Sequence, residues 1–165
     1  MSCIRVYVHA VWAVKYRDAV LTREMRPLLI ASINGLLRKR GHTPIITNFE
    51  PDHVHTIFKF SCREDIGLAM KAAKGGSSKA INENFFSSDK KFRWQGGYGA
   101  FSVCPSHVES KKQYVRDQEI IHARRRFEEE YDQMIDECPE DLHDPEEHRH
   151  YFDPLMDREG ENEGE

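Results

Sequence analysis

Two β-rich runs joined by a two-residue turn limit the possible folds of this chain more than any other feature. Residues 43–50 and 53–60 are rich in β-branched and aromatic side chains, and Pro51-Asp52 separates them. Such runs, joined by so short a turn, favour an antiparallel hairpin. The chain is therefore expected to form a β-sheet that contains this hairpin.

Further strand and helix patterns alternate around the hairpin. The sequence predicts a first strand over residues 4–15 and a helix that is capped by Thr22 and ends near Arg40, before Gly41. It also predicts a second helix over 65–84, weakened in its middle by Gly75-Gly76, a fourth strand over 93–103, and a last helix from near Ser106 to beyond Tyr131. The expected class is α+β: a ferredoxin-like or RRM-like βαββαβ antiparallel sheet with an added C-terminal helix.

Charge divides the chain into two parts. Residues 1–127 hold 22 of the 24 Lys and Arg and 11 of the 28 Asp and Glu, a net charge of +11, whereas residues 128–165 carry −15. A basic body attracts phosphate, so the asymmetry suggests nucleic-acid binding, although a solvated mixed surface would look similar. We expect one domain over 1–135 and an acidic, loosely packed or disordered tail over 136–165.

Several classes of protein do not fit the sequence. No apolar run approaches the roughly 20 residues of a membrane helix, and the N-terminal residues resemble a strand and not a secretory signal. The cysteines are scattered, at positions 3, 62, 104 and 138, which argues against a disulfide framework or a structural zinc site. A cytoplasmic location without a membrane partner is expected.

The first candidate site is His53-Val54-His55 on the predicted third strand. Residues i and i+2 of a strand point to the same face, so the two imidazoles could hold one cation. A short His-x-His motif is weak evidence by itself, because two strand histidines can also pack or face solvent.

The second candidate site is Tyr114 with Gln118 on the predicted last helix. Positions i and i+4 share one face of a helix, so the phenol and the amide project together. Tyrosine can be a covalent nucleophile, and a glutamine oxygen can be a third, neutral metal ligand. A metal held by His53, His55 and Gln118 beside Tyr114 would form a phosphoryl-transfer site. His9 and Trp12 on the first strand are expected to be structural.

Basic and aromatic residues elsewhere are candidates for DNA contacts. Cations can follow a phosphate backbone, and an aromatic ring can stack on an unpaired base. Each cluster could equally be an ordinary solvated surface. The candidates are Lys15, Arg17, Lys74, Ser77, Lys79, Lys91, Arg93 and Trp94.

Five stretches in this order resemble the single-tyrosine HUH transposases of small bacterial insertion sequences and their relatives associated with repetitive extragenic palindromes. They are residues 11–17 (VWAVKYR), 52–58 (DHVHTIF), 74–78 (KGGSS), 94–103 (WQGGYGAFSV) and 114–118 (YVRDQ), the last followed by 127–131 (FEEEY). The resemblance covers about residues 5–131.

The resemblance implies a DNA transposase that cleaves and rejoins single-stranded DNA near hairpins. The family forms a 5′-phosphotyrosine and a free 3′-hydroxyl, and it uses Mg²⁺ or Mn²⁺. The nucleophile carries over to Tyr114 and the metal ligands to His53, His55 and Gln118. Family members are homodimers joined at their sheet edges, and the tyrosine helix of one subunit can complete the site of the other.

The sequence departs from the family pattern at a few points. Thr56 and Phe58 interrupt the aliphatic run that usually follows the histidines, and the acidic tail is not part of the core pattern. Two imidazoles and an amide suit Zn²⁺ or Mn²⁺ better than Mg²⁺ on grounds of ligand softness. Two other functions stay open: a module that only binds single-stranded nucleic acid, and a domesticated HUH endonuclease that does not transpose.

Overall fold

The computed structural model describes residues 3–118 and 127–136. Within them, four strands and four α-helices follow one another in the predicted order. They are β1 (Val6–Ala13), α1 (Arg26–Lys39), β2 (Thr43–Glu50), β3 (His53–Phe60), α2 (Ile66–Phe85), β4 (Gly99–Val103), α3 (Val108–Arg116) and α4 (Phe127–Asp136). Short 3-10 turns cover Lys15–Arg17, Arg23–Met25 and Pro105–His107.

The four strands form one antiparallel sheet in the order β2-β3-β1-β4. This order follows from the βαββαβ connectivity, because each helix crossover skips one strand position. The ferredoxin-like class is therefore confirmed. Ala13 of β1 lies opposite His53, and Asn48 of β2 lies opposite His55. Both histidines therefore lie on β3, an interior strand with a neighbour on each side.

Helices α1 and α2 cover one face of the sheet and bury the main apolar core. Alternate β1 residues, from Val8 to Val14, point into this core. From α1, Leu29, Ile33 and Leu37 are fully buried at helical spacing. Burying one such side chain stabilises the fold by roughly 1.5–3 kcal/mol, so this face supplies most of the apolar stabilisation.

The opposite face of the sheet is partly polar and is covered by α3 and α4. Tyr131 and Ile135 of α4 pack on Val11 and Ala13 of β1, forming a second, smaller apolar cluster. Helix α3 lies over β2 and β3. The β3 histidines point toward α3, which brings the two candidate sites of the sequence to one side of the sheet.

The local predictions were accurate for the hairpin and less so elsewhere. Strands β2 and β3 have the predicted bounds. Gly41 follows the C-terminal end of α1 with φ 85°, a backbone conformation that favours glycine. Strand β1 is shorter than predicted. Thr22 does not cap α1: it makes no side-chain cap bond and precedes a 3-10 turn.

The predicted fourth strand began too early. Only Gly99–Val103 is paired as a strand, with an isolated bridge between Val14 and Trp94. Side chains of α2 form hydrogen bonds with the backbone of the segment that precedes β4. Asn82 bonds with both the N–H and the C=O of Phe92, and Lys74 donates to the carbonyls of residues 95–97. The segment is therefore held mainly by α2 side chains, with two backbone hydrogen bonds to the end of β1: Gln95 N–H donates to the Ala13 carbonyl at 2.9 Å, and Lys15 N–H donates to the Arg93 carbonyl at 3.0 Å.

Two predictions fall outside the described part of the chain. They are the continuity of the last helix across residues 119–126 and the nature of the acidic tail beyond residue 136. Among the residues that are described, none of the helices combines the length and the apolar character that a membrane crossing requires.

Candidate active site on the polar face of the sheet

The polar face of the sheet gathers His9, His53, His55 and Tyr114. The ring centroids of His53 and His55 are 5.0 Å apart, and that of Tyr114 lies 6.4 Å from His55 and 6.5 Å from His9. Both histidines of the motif are buried, with exposed fractions of 1% and 0%. The structure thus brings the histidine motif and the tyrosine together within one chain.

His55 is oriented by His9 from the neighbouring strand. His9 Nε2 and His55 Nδ1 are hydrogen-bonded at 3.0 Å. Burial, with a smaller contribution from the nearby charge of Lys111, lowers the pKa of His9 to about 3, so His9 is neutral at ordinary pH. A neutral His9 can accept the proton of His55 Nδ1, and this tautomer of His55 presents Nε2 as its electron-pair donor.

His53 is oriented in the same way by a carboxylate. Its Nδ1–H donates to Asp52 Oδ1 at 2.6 Å, and Arg17 donates to Asp52 Oδ2 from Nε at 3.0 Å and from a terminal nitrogen at 2.6 Å. Burial lowers the pKa of His53 despite the neighbouring carboxylate, which favours the neutral ring. Burial alone would raise the pKa of Asp52, but His53 and Arg17 together hold it well below its usual range.

The chain is strained where it delivers Arg17 to this network. Tyr16 and Arg17 both have left-handed backbone conformations, with φ 60° and 57°. For residues other than glycine this costs roughly 1–2 kcal/mol each. The bonds from Arg17 to Asp52 and from the Arg17 amide to the Val14 carbonyl, at 2.9 Å, hold the turn in place.

Helix α3 is fixed to the sheet directly beside His55. Asn48, which lies opposite His55 in the β2–β3 register, donates from Nδ2 to the Val115 carbonyl at 2.9 Å. Its Oδ1 accepts a hydrogen bond from Arg26. Since Val115 follows Tyr114, this bond sets the position of the tyrosine over the histidines. The Lys111 ammonium lies 5.9 Å from the Tyr114 ring centroid and adds positive charge there.

The donor set fits a divalent cation bound by few protein ligands. With Nδ1 of each motif histidine engaged by Asp52 or His9, a metal would be held through the Nε2 atoms, and such hydrogen-bonded partners are typical around metal-binding histidines. Gln118, one helical turn after Tyr114, is fully buried. In the described part of the chain, no group of three or more His, Cys, Asp or Glu side chains is arranged to hold a metal.

The candidate DNA contacts separate into exposed and engaged residues. Lys79, Lys91 and Arg93 are exposed, and Lys15 and Trp94 are half-buried. Lys74 instead donates to three carbonyls at 2.7–3.0 Å, and Arg17 belongs to the Asp52 network. Ser77 is fully buried and bonded to Trp94 Nε1 at 3.1 Å, so its burial does not fit the expected phosphate contact.

Sequence reasoning missed several members of the site. His9 was expected to be only structural, and Asp52 was interpreted as a turn residue. Asn48 and Lys111 were not singled out, although Lys111 precedes Tyr114 by three residues and so shares its helix face. For His9 and Asn48 the useful signal was strand pairing, since both lie on strands next to His55.

A family model described as "Transposase IS200 like" matches residues 2–118, more than half of the chain. The chain belongs to the IS200-like transposase family. The matched region includes all four predicted catalytic and ligand positions, from His53 to Gln118. Membership in the IS200-like family makes the chain a transposase, which is a DNA-cleaving enzyme.

One relative and two solved structures are similar to this chain. The chain is 29% identical over 96 residues to the ISDra2 transposase TnpA of Deinococcus radiodurans, which covers 58% of this chain and 68% of the relative. The fold is similar to a crystal structure from Deinococcus radiodurans R1 described as a transposase, with TM-score 0.58, 23% identity, and coverage of 71% of this chain and 93% of the other. A second similar structure, a REP-associated tyrosine transposase bound to a REP hairpin, has TM-score 0.57, 14% identity, and coverage of 74% and 71%.

Proposed function

We propose that this transposase cuts and rejoins single-stranded DNA through a covalent bond between Tyr114 and a 5′ phosphate. One observation carries the proposal: the Tyr114 ring lies 6.4 Å from the ring of the buried His55 of the same chain, whose Nδ1 is engaged by His9, and the adjacent His53 is engaged by Asp52. A nucleophile close to neutral imidazoles that can hold a cation is an arrangement that can support metal-assisted phosphoryl transfer.

The proposed step balances without an outside energy source. The Tyr114 oxygen forms a bond to phosphorus, the bond from phosphorus to the 3′ oxygen breaks, and the phenol proton ends on the released 3′-hydroxyl. Rejoining is the same exchange in reverse, with a 3′-hydroxyl as the attacking group. Because one phosphoester replaces another, ATP is not needed.

His53, His55 and Gln118 are the proposed ligands of a divalent cation, Mg²⁺ or Mn²⁺. When bound, the cation polarises the scissile phosphate and offsets charge on the leaving oxygen. The protein's own contribution is orientation: Asp52 and His9 hold the two imidazoles, and Asn48 holds the tyrosine helix. Lys111 lies where it can attract the phosphate toward Tyr114.

The DNA partner is proposed to be a single strand with hairpins. The hairpin-bound REP-associated transposase has a similar fold, and the body of this chain up to residue 127 has a net charge of +11. Family resemblance further suggests a homodimer. Since Tyr114 lies over the histidines of its own chain, each site could be assembled within one subunit.

The test is a covalent-adduct assay on 3′-end-labelled single-stranded DNA taken from the DNA flanking the gene, with Mn²⁺ present. We expect labelled DNA to stay on the wild-type protein in a denaturing gel, and to be lost with Tyr114→Phe, with His55→Ala, or with a chelator. Adding an unlabelled acceptor strand with a 3′-hydroxyl should then yield a joined product. An adduct that persists in Tyr114→Phe, or intact DNA binding without any adduct, would contradict the proposal and favour a module that only binds DNA.

A further inference from the structure

A pocket between α2 and the segment before β4 is separate from the histidine site. Its volume is about 470 Å³, within the range of roughly 300–1,000 Å³ typical of small-ligand sites. It is lined by Gly67, Lys71, Lys74, Gly75, Ser78, Arg93, Trp94, Gln95, Gly96 and Tyr98. It offers space for one nucleotide but not for a paired duplex.

The aromatic wall of the pocket is held rigidly. Trp94 donates from Nε1 to the buried Ser77 hydroxyl at 3.1 Å, and its ring contacts Trp12 and Phe92 edge to face at centroid distances of 5.9 and 4.6 Å. Tyr98 contributes a second ring. A ring fixed in this way can receive a flat base without losing further conformational freedom.

The pocket has three cationic side chains: one holds its wall in place by hydrogen bonds, and the other two are available to bind a ligand. Lys74 uses its ammonium to close the 95–97 loop through three carbonyl bonds. Lys71 and Arg93 are exposed at the rim, and within the described part of the chain neither side chain forms an ion pair or hydrogen bond. Two available cations beside two aromatic rings match a phosphate attached to an unpaired base.

The pocket and the histidine site lie at the same end of the sheet, where β1 ends and β3 begins, and on opposite faces. Val14, at the end of β1, bridges to Trp94, while the preceding Ala13 lies opposite His53. Trp94 packs with the apolar core on the helix face, whereas His53 points to the polar face. A DNA strand that leaves the histidine site can therefore pass around this end of the sheet and reach the pocket.

We infer that this pocket binds one unpaired nucleotide of the DNA substrate, with the base against Trp94 and Tyr98 and a phosphate between Lys71 and Arg93. The inference rests on the proposed function for the identity of the ligand as DNA. It assigns a nucleotide subsite away from the reacting phosphate. Such a subsite would let the enzyme hold its substrate by a base that takes no part in cleavage.

The chain offers a matched pair of variants for the test. Gly75 and Gly35 are both exposed helical glycines, and an added Cβ would meet no atom within 4 Å at either position. Gly75 lines the pocket, whereas Gly35 lies on α1 outside it. Gly75→Leu and Gly35→Leu should therefore gain the same helix stability, but only Gly75→Leu fills the pocket.

The experiment measures binding of the flanking single-stranded DNA with each unpaired position replaced in turn by an abasic site. For the wild type and Gly35→Leu, we expect one position at which the abasic site weakens binding about ten-fold, the order expected for one base–aromatic stack. For Gly75→Leu, we expect about ten-fold weaker binding of intact DNA and no further loss at that position. The inference is overturned if no single position matters in the wild type, or if Gly75→Leu discriminates as the wild type does.

Tryptophan emission gives an independent readout. The chain has only Trp12, which is fully buried, and Trp94, on the pocket wall. Oligonucleotide should quench the emission of the wild type and Gly35→Leu but not of Gly75→Leu; equal quenching in all three would contradict the subsite. Adduct formation at saturating DNA separates this inference from the proposed function, because Gly75→Leu leaves Tyr114 in place. An adduct without the abasic pattern refutes only the pocket, and the abasic pattern without an adduct refutes only the tyrosine chemistry.

Discussion

The two faces of the sheet differ in what they bury. On the face under α1 and α2, the buried side chains are mostly aliphatic or aromatic, such as Leu29, Ile33 and Phe58. On the face under α3, the buried side chains include His9, His53 and His55, each at most 2% exposed. One sheet thus serves as a stability layer on one side and as a polar site on the other.

The difference shows where this fold accepts an energetic cost. Burying polar groups is unfavourable unless they are hydrogen-bonded, and here each imidazole has a specific partner. The partners come from different elements, so the site depends on long-range geometry. We therefore expect substitutions on the apolar face to lower the free energy of unfolding with little effect on the rate of adduct formation. Substitutions on the polar face should lower the rate of adduct formation with little effect on stability.

The largest effect is expected from a cavity in the apolar face. Ile33→Ala removes a fully buried side chain from α1 and should lower the free energy of unfolding by about 2–5 kcal/mol. Urea unfolding measures this loss. At a temperature where the variant stays folded, the rate of adduct formation should match the wild type; a large drop in that rate would show that the two faces are not independent.

The next effect tests the partner of His53. Asp52→Ala should lower metal affinity or the adduct rate by about 10–100-fold, as loss of a hydrogen-bonded partner of a metal-binding histidine typically does. A titration with Mn²⁺ should show recovery at higher metal concentration. Asp65→Ala is the matched control: this carboxylate caps α2 by accepting from the Gly67 amide, so its loss should cost about 1 kcal/mol of stability and leave the rate unchanged. Equal rates for both variants would remove Asp52 from the site.

A pair of asparagines sharpens the comparison of the faces. Asn48→Asp on the polar face keeps an acceptor for Arg26 but places a carboxylate oxygen against the Val115 carbonyl, so we expect about ten-fold slower adduct formation at saturating DNA. Asn34→Asp on the apolar face keeps the bond that its oxygen accepts from Thr47 and should be near neutral. Single-turnover rates compare the two, and similar rates would mean that the Asn48 bond does not position Tyr114.

The smallest effect distinguishes two adjacent glycines of α2. Gly75→Ala adds a methyl group in open space and should stabilise the protein by roughly 0.5–1 kcal/mol. At Gly76 the added Cβ would lie 2.4 Å from Leu36 Cδ1, so the α1 side chain must move and the gain should be reduced or reversed. Thermal unfolding of both variants measures the difference. If Gly76→Ala proved the more stable, Leu36 of α1 would not lie close to Gly76 of α2.

The features that the sequence predicted depend on local patterns, and the features that it missed depend on contacts between distant parts of the chain. Strands β2 and β3 were predicted to the residue because their signal is local: alternating β-formers on both sides of Pro51-Asp52. The placement of His53 and His55 on the same face of β3 also follows from strand periodicity alone. The predicted start of β4 was wrong because Asn82 and Lys74, from a distant helix, bind backbone groups of Phe92 and of residues 95–97, and in this described segment only Arg93 and Gln95 bond to the end of β1.

The remaining members of the site could not be predicted from local patterns. His9 contacts His55 across 46 residues of sequence, and Asn48 reaches Val115 across 67. Such contacts depend on strand order and register, which are properties of the assembled sheet. Helix spacing predicted Tyr114 and Gln118 as candidates and the resemblance added their roles, but the residues that orient Tyr114 and the histidines became visible only with the fold.

The most direct test of the account is to identify the residue that carries the DNA. The adduct would be trimmed with nuclease, digested with trypsin and analysed by mass spectrometry. Cleavage after Lys112 and Arg116 releases residues 113–116, a short peptide whose only tyrosine is Tyr114. We expect this peptide to carry the nucleotide mass through a phosphotyrosine bond. Attachment to a different peptide, such as one that contains Tyr16 or Tyr131, would contradict the assignment of Tyr114 as the nucleophile.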